Sequence, residues 1–115
     1  MYKCENLSKK YPEIFSKCNL GISVGDGWYD LLDRLCATLQ LESNRLGDQV
    51  YAEQVKEKFG GLRFYYTCNN YQAFDEFIQE AEKEAYKTCE FCGKPGKITQ
   101  KGWVKVLCEA CEVKK

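Results

Sequence analysis

The chain has 115 residues, 44% hydrophobic and 14% aromatic, which suits one compact domain with room for a small appended module and excludes two large domains. Its 17 Lys/Arg balance 17 Asp/Glu, and a formal charge of zero argues against a protein that coats nucleic acid by bulk charge. Histidine is absent, which removes the commonest general base, the usual Ser-His and Cys-His nucleophile pairs, and every zinc site built on imidazole.

The charge is unevenly placed. Residues 1–88 carry 11 Lys/Arg against 14 Asp/Glu, and residues 89–115 carry 6 Lys against 3 Glu, so a body of −3 precedes a tail of +3. Met1-Tyr2-Lys3-Cys4-Glu5 is polar, and no uncharged run approaches the roughly 20 residues of a bilayer span, so the expected location is the cytoplasm with no membrane partner. That compartment keeps thiols reduced, which makes metal ligation the first reading for cysteines at ligand spacing.

Residues 1–24 read as irregular around Pro12, with Tyr11, Ile14 and Phe15 as one short helical turn. Trp28, Leu31, Leu32, Leu35, Cys36 and Leu39 then recur at i, i+3, i+4, i+7, i+8 and i+11, which predicts an amphipathic helix over about 27–40 with Asp26 as its N-cap. Gln40 to Asp48 reads as a loop.

The stretch Val55 to Tyr66, "VKEKFGGLRFYY", predicts a hairpin over about 50–68, because Gly60-Gly61 accepts the positive φ of a primed two-residue turn. A helix through 50–58 ended by Gly60 competes, since Tyr51, Val55 and Phe59 also fit i, i+4, i+8. Counting outward from the turn pairs Phe59 with Leu62 and Lys58 with Arg63. One face then holds Val55, Phe59, Leu62, Phe64 and Tyr66, with Glu57 its one polar member. The other holds Lys56, Lys58, Arg63 and Tyr65. Asn69-Asn70 caps a second helix over about 71–87, apolar through Phe74, Phe77, Ile78, Ala81 and Ala85 and acidic on its solvent face. The fold class expected is α+β: two amphipathic helices packed on a small antiparallel hairpin or sheet within residues 1–88, followed by a separate module over 89–115.

That module carries the most specific signal. Cys89-Glu90-Phe91-Cys92-Gly93 and Cys108-Glu109-Ala110-Cys111 are two C-x2-C knuckles fifteen residues apart, with a short hairpin's length between them. Cys89, Cys92, Cys108 and Cys111 are therefore expected to hold one structural Zn2+ as a ribbon, four thiolates leaving the ion no open position. A redox dithiol pair and an iron–sulfur cluster are the competing readings. Cys4, Cys18, Cys36 and Cys68 lack the spacing: Cys36 lies on an apolar stripe as a small hydrophobe, and a second metal site among the four is the alternative.

Two candidate binding surfaces follow. Opposed cations on the hairpin face of Lys56, Lys58, Arg63 and Tyr65 suggest an anionic counterpart, against an ordinary solvated sheet face. Lys94, Lys97, Lys101 and Lys105 with Trp103 form a basic, aromatic ribbon surface suited to phosphates and a stacked base, against lysines that keep the ribbon soluble and a tryptophan that covers it.

Gly25-Asp26-Gly27-Trp28-Tyr29-Asp30-Leu31-Leu32, Gln54 through Tyr65, Cys89-x2-Cys92-Gly93-x-Pro95-Gly96, and Gly102-Trp103 before Cys108-x2-Cys111 together resemble a family of small, mostly uncharacterised phage, prophage and bacterial proteins. The extra cysteines Cys4 and Cys18 depart from its usual pattern. The resemblance transfers no catalytic residue and implies a phage-type accessory protein acting on a host or defence component. The expected function is thus a non-enzymatic, zinc-binding protein that docks on a host protein, with direct DNA or RNA binding as the alternative. An enzyme comes third, because no carboxylate or thiolate constellation stands out.

Overall fold

The apolar stripe beginning at Leu31 forms helix α2, Tyr29–Leu46, in a computed structural model that describes residues 3–99 and 104–113. Trp28, Leu31, Leu32, Leu35, Cys36 and Leu39 are all buried along it. The helix runs six residues beyond the expected end at 40. Its last turns carry exposed leucines, Leu41 and Leu46, so the apolar period fades although the backbone continues. Gln40–Asn44 and Glu42–Arg45 side-chain pairs support those turns, and Ser43 is buried there to accept the Val50 N–H at 3.1 Å.

The expected Asp26 N-cap is not formed. Asp26–Trp28 make a single 3-10 turn ahead of α2, in which the Trp28 and Tyr29 N–H groups are accepted locally by Gly25 O and Asp26 O, while the Gly25 and Gly27 N–H groups are accepted by Glu90, far along the chain. Near the N-terminus a short helix α1, Leu7–Lys10, buries Leu7, and Ile14 and Phe15 also enter the core. Strand β1, Ile22–Ser23, was not legible in the irregular pattern of residues 1–24.

Strands β2, Tyr51–Lys58, and β3, Gly61–Thr67, form the expected hairpin, with the order β1-β2-β3. The sheet is mixed rather than purely antiparallel, because β1 runs parallel to β2. The N-terminal segment closes that side of β2: Val55 N–H donates to Gly21 O at 3.1 Å and Ala52 N–H to Ile14 O at 2.8 Å.

The hairpin turn is Phe59-Gly60, not Gly60-Gly61. Lys58 pairs with Gly61, Glu57 with Leu62, Lys56 with Arg63 and Val55 with Phe64, and a bulge follows between Ala52 and Gln54. Phe59 at φ 54° and Gly60 at φ 84° supply the two left-handed residues of a primed turn. The slip moves each pairing by two positions in sum, so the division into faces survives: Val55, Leu62 and Phe64 are buried, with Lys56, Arg63 and Tyr65 opposite. Phe59 is the exception, since it leaves the core face and is 71% exposed.

Helix α3, Asp75–Ala85, follows a 3-10 turn at Tyr71–Ala73 and packs against both α2 and β3. The expected asparagine side-chain cap is not formed: Asn70 precedes the 3-10 turn without a side-chain cap bond and Phe74 precedes α3, while the Asp48 carboxylate accepts the Asn69 and Asn70 N–H groups at 2.9 and 2.8 Å and so fixes the chain ahead of the turn. The last described elements are a two-stranded sheet, β4 Lys97–Ile98 against β5 Val106–Leu107, and a short helix α4, Glu109–Val113. No helix among the described residues is long and apolar enough to cross a membrane.

Candidate metal centre

The first knuckle is a tight turn closed by two backbone bonds, Gly93 N–H to Cys89 O at 2.9 Å and Cys89 N–H to Lys94 O at 2.7 Å. Gly93 takes φ 83°, a value costly for any residue with a Cβ, and this turns the chain after the second sulfur. The second knuckle is the start of α4, where Glu112 N–H donates to Cys108 O at 2.9 Å and Cys111 N–H to Cys108 Sγ at 3.4 Å. The strands β4 and β5 bring the two knuckles together. As a result the sulfurs of Cys89, Cys92, Cys108 and Cys111 all lie within 4.8 Å of one another, and Cys92 and Cys108 are 3.5 Å apart.

That spacing fits a metal ion. A tetrahedron with metal–sulfur bonds of about 2.3 Å places its sulfurs roughly 3.8 Å apart, inside the observed envelope. The thiols also titrate apart. Burial opposes ionisation of Cys89, but backbone N–H groups of Cys108, Cys92 and Phe91 pull it down to about 7, whereas hydrogen bonding to the Cys108 and Cys89 sulfurs pushes Cys111 up to about 12. Four sulfurs this crowded ionise together only around a cation. Cys89 and Cys108 are buried, Cys111 is half-buried and Cys92 is exposed, so one edge of the site faces water.

Among the described residues no other group of three or more metal donors gathers, and the remaining cysteines sit apart from this cluster. Cys4 and Cys36 are buried, Cys4 donating to Gly25 O at 3.5 Å, while Cys18 is half-buried against Gly21 O at 3.7 Å. Burial pushes the Cys36 thiol up to about 12, which makes it an inert core residue.

The residue between the ligands that does most is Glu90. Its carboxylate accepts the Gly25 N–H at 3.0 Å, its carbonyl accepts the Gly27 N–H at 2.7 Å, and its own N–H donates to Val106 O at 2.9 Å. The knuckle therefore caps the entry to α2, and Trp28 Nε1 adds a bond to Thr88 O at 2.9 Å. This contact explains Gly25 and Gly27 by proximity: a Cβ on either would fall inside contact distance of the Cys89 or Glu90 backbone. The other Glu90 oxygen accepts from Lys105 Nζ at 3.3 Å, and Lys105 also reaches Glu57 Oε1 at 3.0 Å. Glu57 in turn accepts the Gly60 N–H at 2.8 Å, which satisfies the polar residue on the hairpin's core face. Burial disfavours the Glu57 carboxylate, yet Gly60 and Lys105 together hold it below the ordinary range; Lys105 is held above its own range by the two carboxylates, against burial.

Lys105 is thus removed from the basic ribbon surface expected of it, being 25% exposed and paired inside the protein. Lys94 and Lys97 are exposed, whereas Lys101 and Trp103 lie outside the described residues. On the hairpin, Lys56 now opposes Arg63, Lys56 Nζ lies 5.8 Å from the Tyr65 ring, and Lys58 Nζ lies 5.7 Å from the Phe59 ring. Arg63 is half-buried, its Nε without a hydrogen-bond acceptor. Glu90, Glu57 and Asp48 were missed because each acts on chain more than twenty residues away or depends on the hairpin register; the nearest signal was the unexplained acid at Glu57. No protein-family model, curated protein or solved structure matches the chain.

Proposed function

We propose that this chain is a non-enzymatic binding protein held together by one structural Zn2+. The observation that carries this reading is the convergence of the Cys89, Cys92, Cys108 and Cys111 sulfurs within 4.8 Å. Four protein sulfurs leave the ion no position for water or substrate, so it acts in folding rather than chemistry. The bound metal fixes the knuckle, the knuckle places Glu90, and Glu90 holds the ribbon on the helix and the hairpin. The surface built across that joint recognises a host protein, in keeping with the phage-type resemblance and an accessory or counter-defence role in the host cytoplasm.

Metal analysis of the purified chain tests the zinc, with about one Zn2+ per chain expected and loss of ribbon structure in Cys108→Ser. A metal-free chain that keeps its full fold refutes this function. Direct nucleic-acid binding is the second reading, favoured by exposed Tyr65 and Phe59, each with a lysine near its ring. Titration with single- and double-stranded DNA and RNA at two salt concentrations separates the two, since binding without a salt slope excludes phosphate contacts.

A further inference from the structure

Phe59 occupies a position that local physics assigns to another residue. The first residue of a primed turn favours Asn, Asp or Gly, and a bulky side chain at φ 54° is strained there; among the described residues Phe59 is the one non-glycine with positive φ. Core packing does not compensate, since the ring is 71% exposed. An aromatic side chain kept in a strained turn without burial points to a contact outside the chain.

Its surroundings define the contact. Gly60 lies against the ribbon, where an added Cβ would stand 3.0 Å from Val104 Cγ1 and 3.5 Å from Ile98 Cδ1, and Gly61 lies under the Tyr86 hydroxyl. Val104, Ile98 and Tyr86 are themselves 37%, 42% and 40% exposed. The hairpin tip, the ribbon sheet and the end of α3 thus join in one apolar patch. The acids of this joint, Glu57 and Glu90, turn inward to Lys105, while Lys58, its Nζ 5.7 Å from the Phe59 ring, is exposed.

We infer that this composite patch docks an acidic segment of a partner protein whose aliphatic side chains cover Phe59, Ile98 and Val104 and whose carboxylate meets Lys58. Aliphatic Ile98 and Val104 offer no ring face to a stacked base, which favours a protein segment over a nucleic-acid strand at this place. The inference rests on the protein-binding reading above and names its surface.

The test uses the metal-loaded chain, its zinc content measured first, titrated with amphipathic Leu/Glu peptides, with sign-reversed Leu/Lys peptides and with a dT12 oligonucleotide. Binding of the Leu/Glu peptides alone is expected, weakened at least about tenfold by Phe59→Asn and by Lys58→Glu. Because Asn suits the turn, Phe59→Asn should raise the melting temperature, which separates lost binding from lost folding. Equal binding of both peptide signs, unchanged affinity in Phe59→Asn, or a lower melting temperature for that variant overturns the proposal. Binding of dT12 that Phe59→Asn abolishes assigns the tip to nucleic acid and overturns it too. Each of these failures leaves the zinc measurement standing.

Discussion

Replacing Lys105 with methionine removes the cation that joins three elements and leaves two carboxylates behind. Glu90 loses its charge partner at a site where its side chain is 5% exposed, and Glu57 loses one at 21%. Breaking a buried ion pair from one side costs about 3–5 kcal/mol, and an exposed pair about 0–1 kcal/mol. Lys105 at 25% exposure lies nearer the buried case, so about 2–3 kcal/mol is expected, a fall in melting temperature of about 8–12 °C at roughly 4 °C per kcal/mol for a chain of this size. Thermal unfolding followed by circular dichroism on the metal-loaded protein reads this directly.

The control is the triple variant Lys105→Met/Glu57→Gln/Glu90→Gln. It removes both stranded charges while a glutamine oxygen can still accept from Gly25 and from Gly60, so it should recover more than half of the lost stability. The pH dependence has a definite sign. Glu57 is held below its ordinary value, so its contribution is present at neutral pH and lost as acid protonates it; Lys105 is held above its ordinary value, so its contribution persists at neutral pH and is lost in strong base. The destabilisation by Lys105→Met should therefore be largest near neutral pH and shrink in acid, where protonation relieves the stranded carboxylates, and in strong base, where the wild-type ion pairs are lost. A shift below about 2 °C for Lys105→Met, or a triple variant no better than the single, refutes the view that this triad holds the joint.

Gly27→Ala should cost about 3 kcal/mol or more and weaken zinc retention in a chelator competition, because the new Cβ meets the fixed Cys89 and Glu90 backbone. Gly61→Ala should cost less than about 1 kcal/mol, since what it meets is the hydroxyl end of exposed Tyr86, which can swing aside. Asp48→Ala should cost about 1–3 kcal/mol by orphaning the Asn69 and Asn70 N–H groups, and amide exchange at those two positions should rise. Chelation of the metal should move the Trp28 indole N–H resonance, because its acceptor, Thr88 O, is one residue from Cys89.

What the sequence made legible was local. Each C-x2-C knuckle closes within a few residues, and the first helix declares itself through a repeat that every turn renews. The hairpin was visible for the same reason, but its register was not. Gly60-Gly61 looks like the ideal turn, yet Gly61 is already paired with Lys58, and the left-handed position before Gly60 falls to a phenylalanine that no propensity argument would choose. Strand β1 was hidden because two residues carry no period and its partner Val55 lies 33 positions away. The end of α2 was hidden because its last turns are held by polar pairs and a buried Ser43 rather than by an apolar stripe.

The resemblance motifs acquire a physical meaning from this arrangement. The glycines of Gly25-Asp26-Gly27-Trp28 and of Gly60-Gly61 are separate in sequence, but both meet residues of the C-terminal quarter or its approach: the first pair at Cys89 and Glu90, the second at Val104, Ile98 and Tyr86. Side-chain bulk is excluded at Gly25 and Gly27 because the ribbon backbone comes to rest there, whereas Gly60 and Gly61 meet only the side chains of Val104, Ile98 and Tyr86 and the Val104 carbonyl at longer range. A motif that reads as a candidate binding loop is then the socket for an internal partner, and its glycines report on folding. Phe59 stands inside the same motif but obeys the opposite logic, since neither its backbone conformation nor any burial favours an aromatic ring. If the socket fixes the geometry and Phe59 uses it, Gly27→Ala should weaken peptide binding only to the extent that it loosens the metal, whereas Phe59→Asn should weaken it with zinc fully retained. Chelator competition and peptide titration on the same two variants separate those outcomes, and equal loss of zinc in both would place Phe59 in the socket as well.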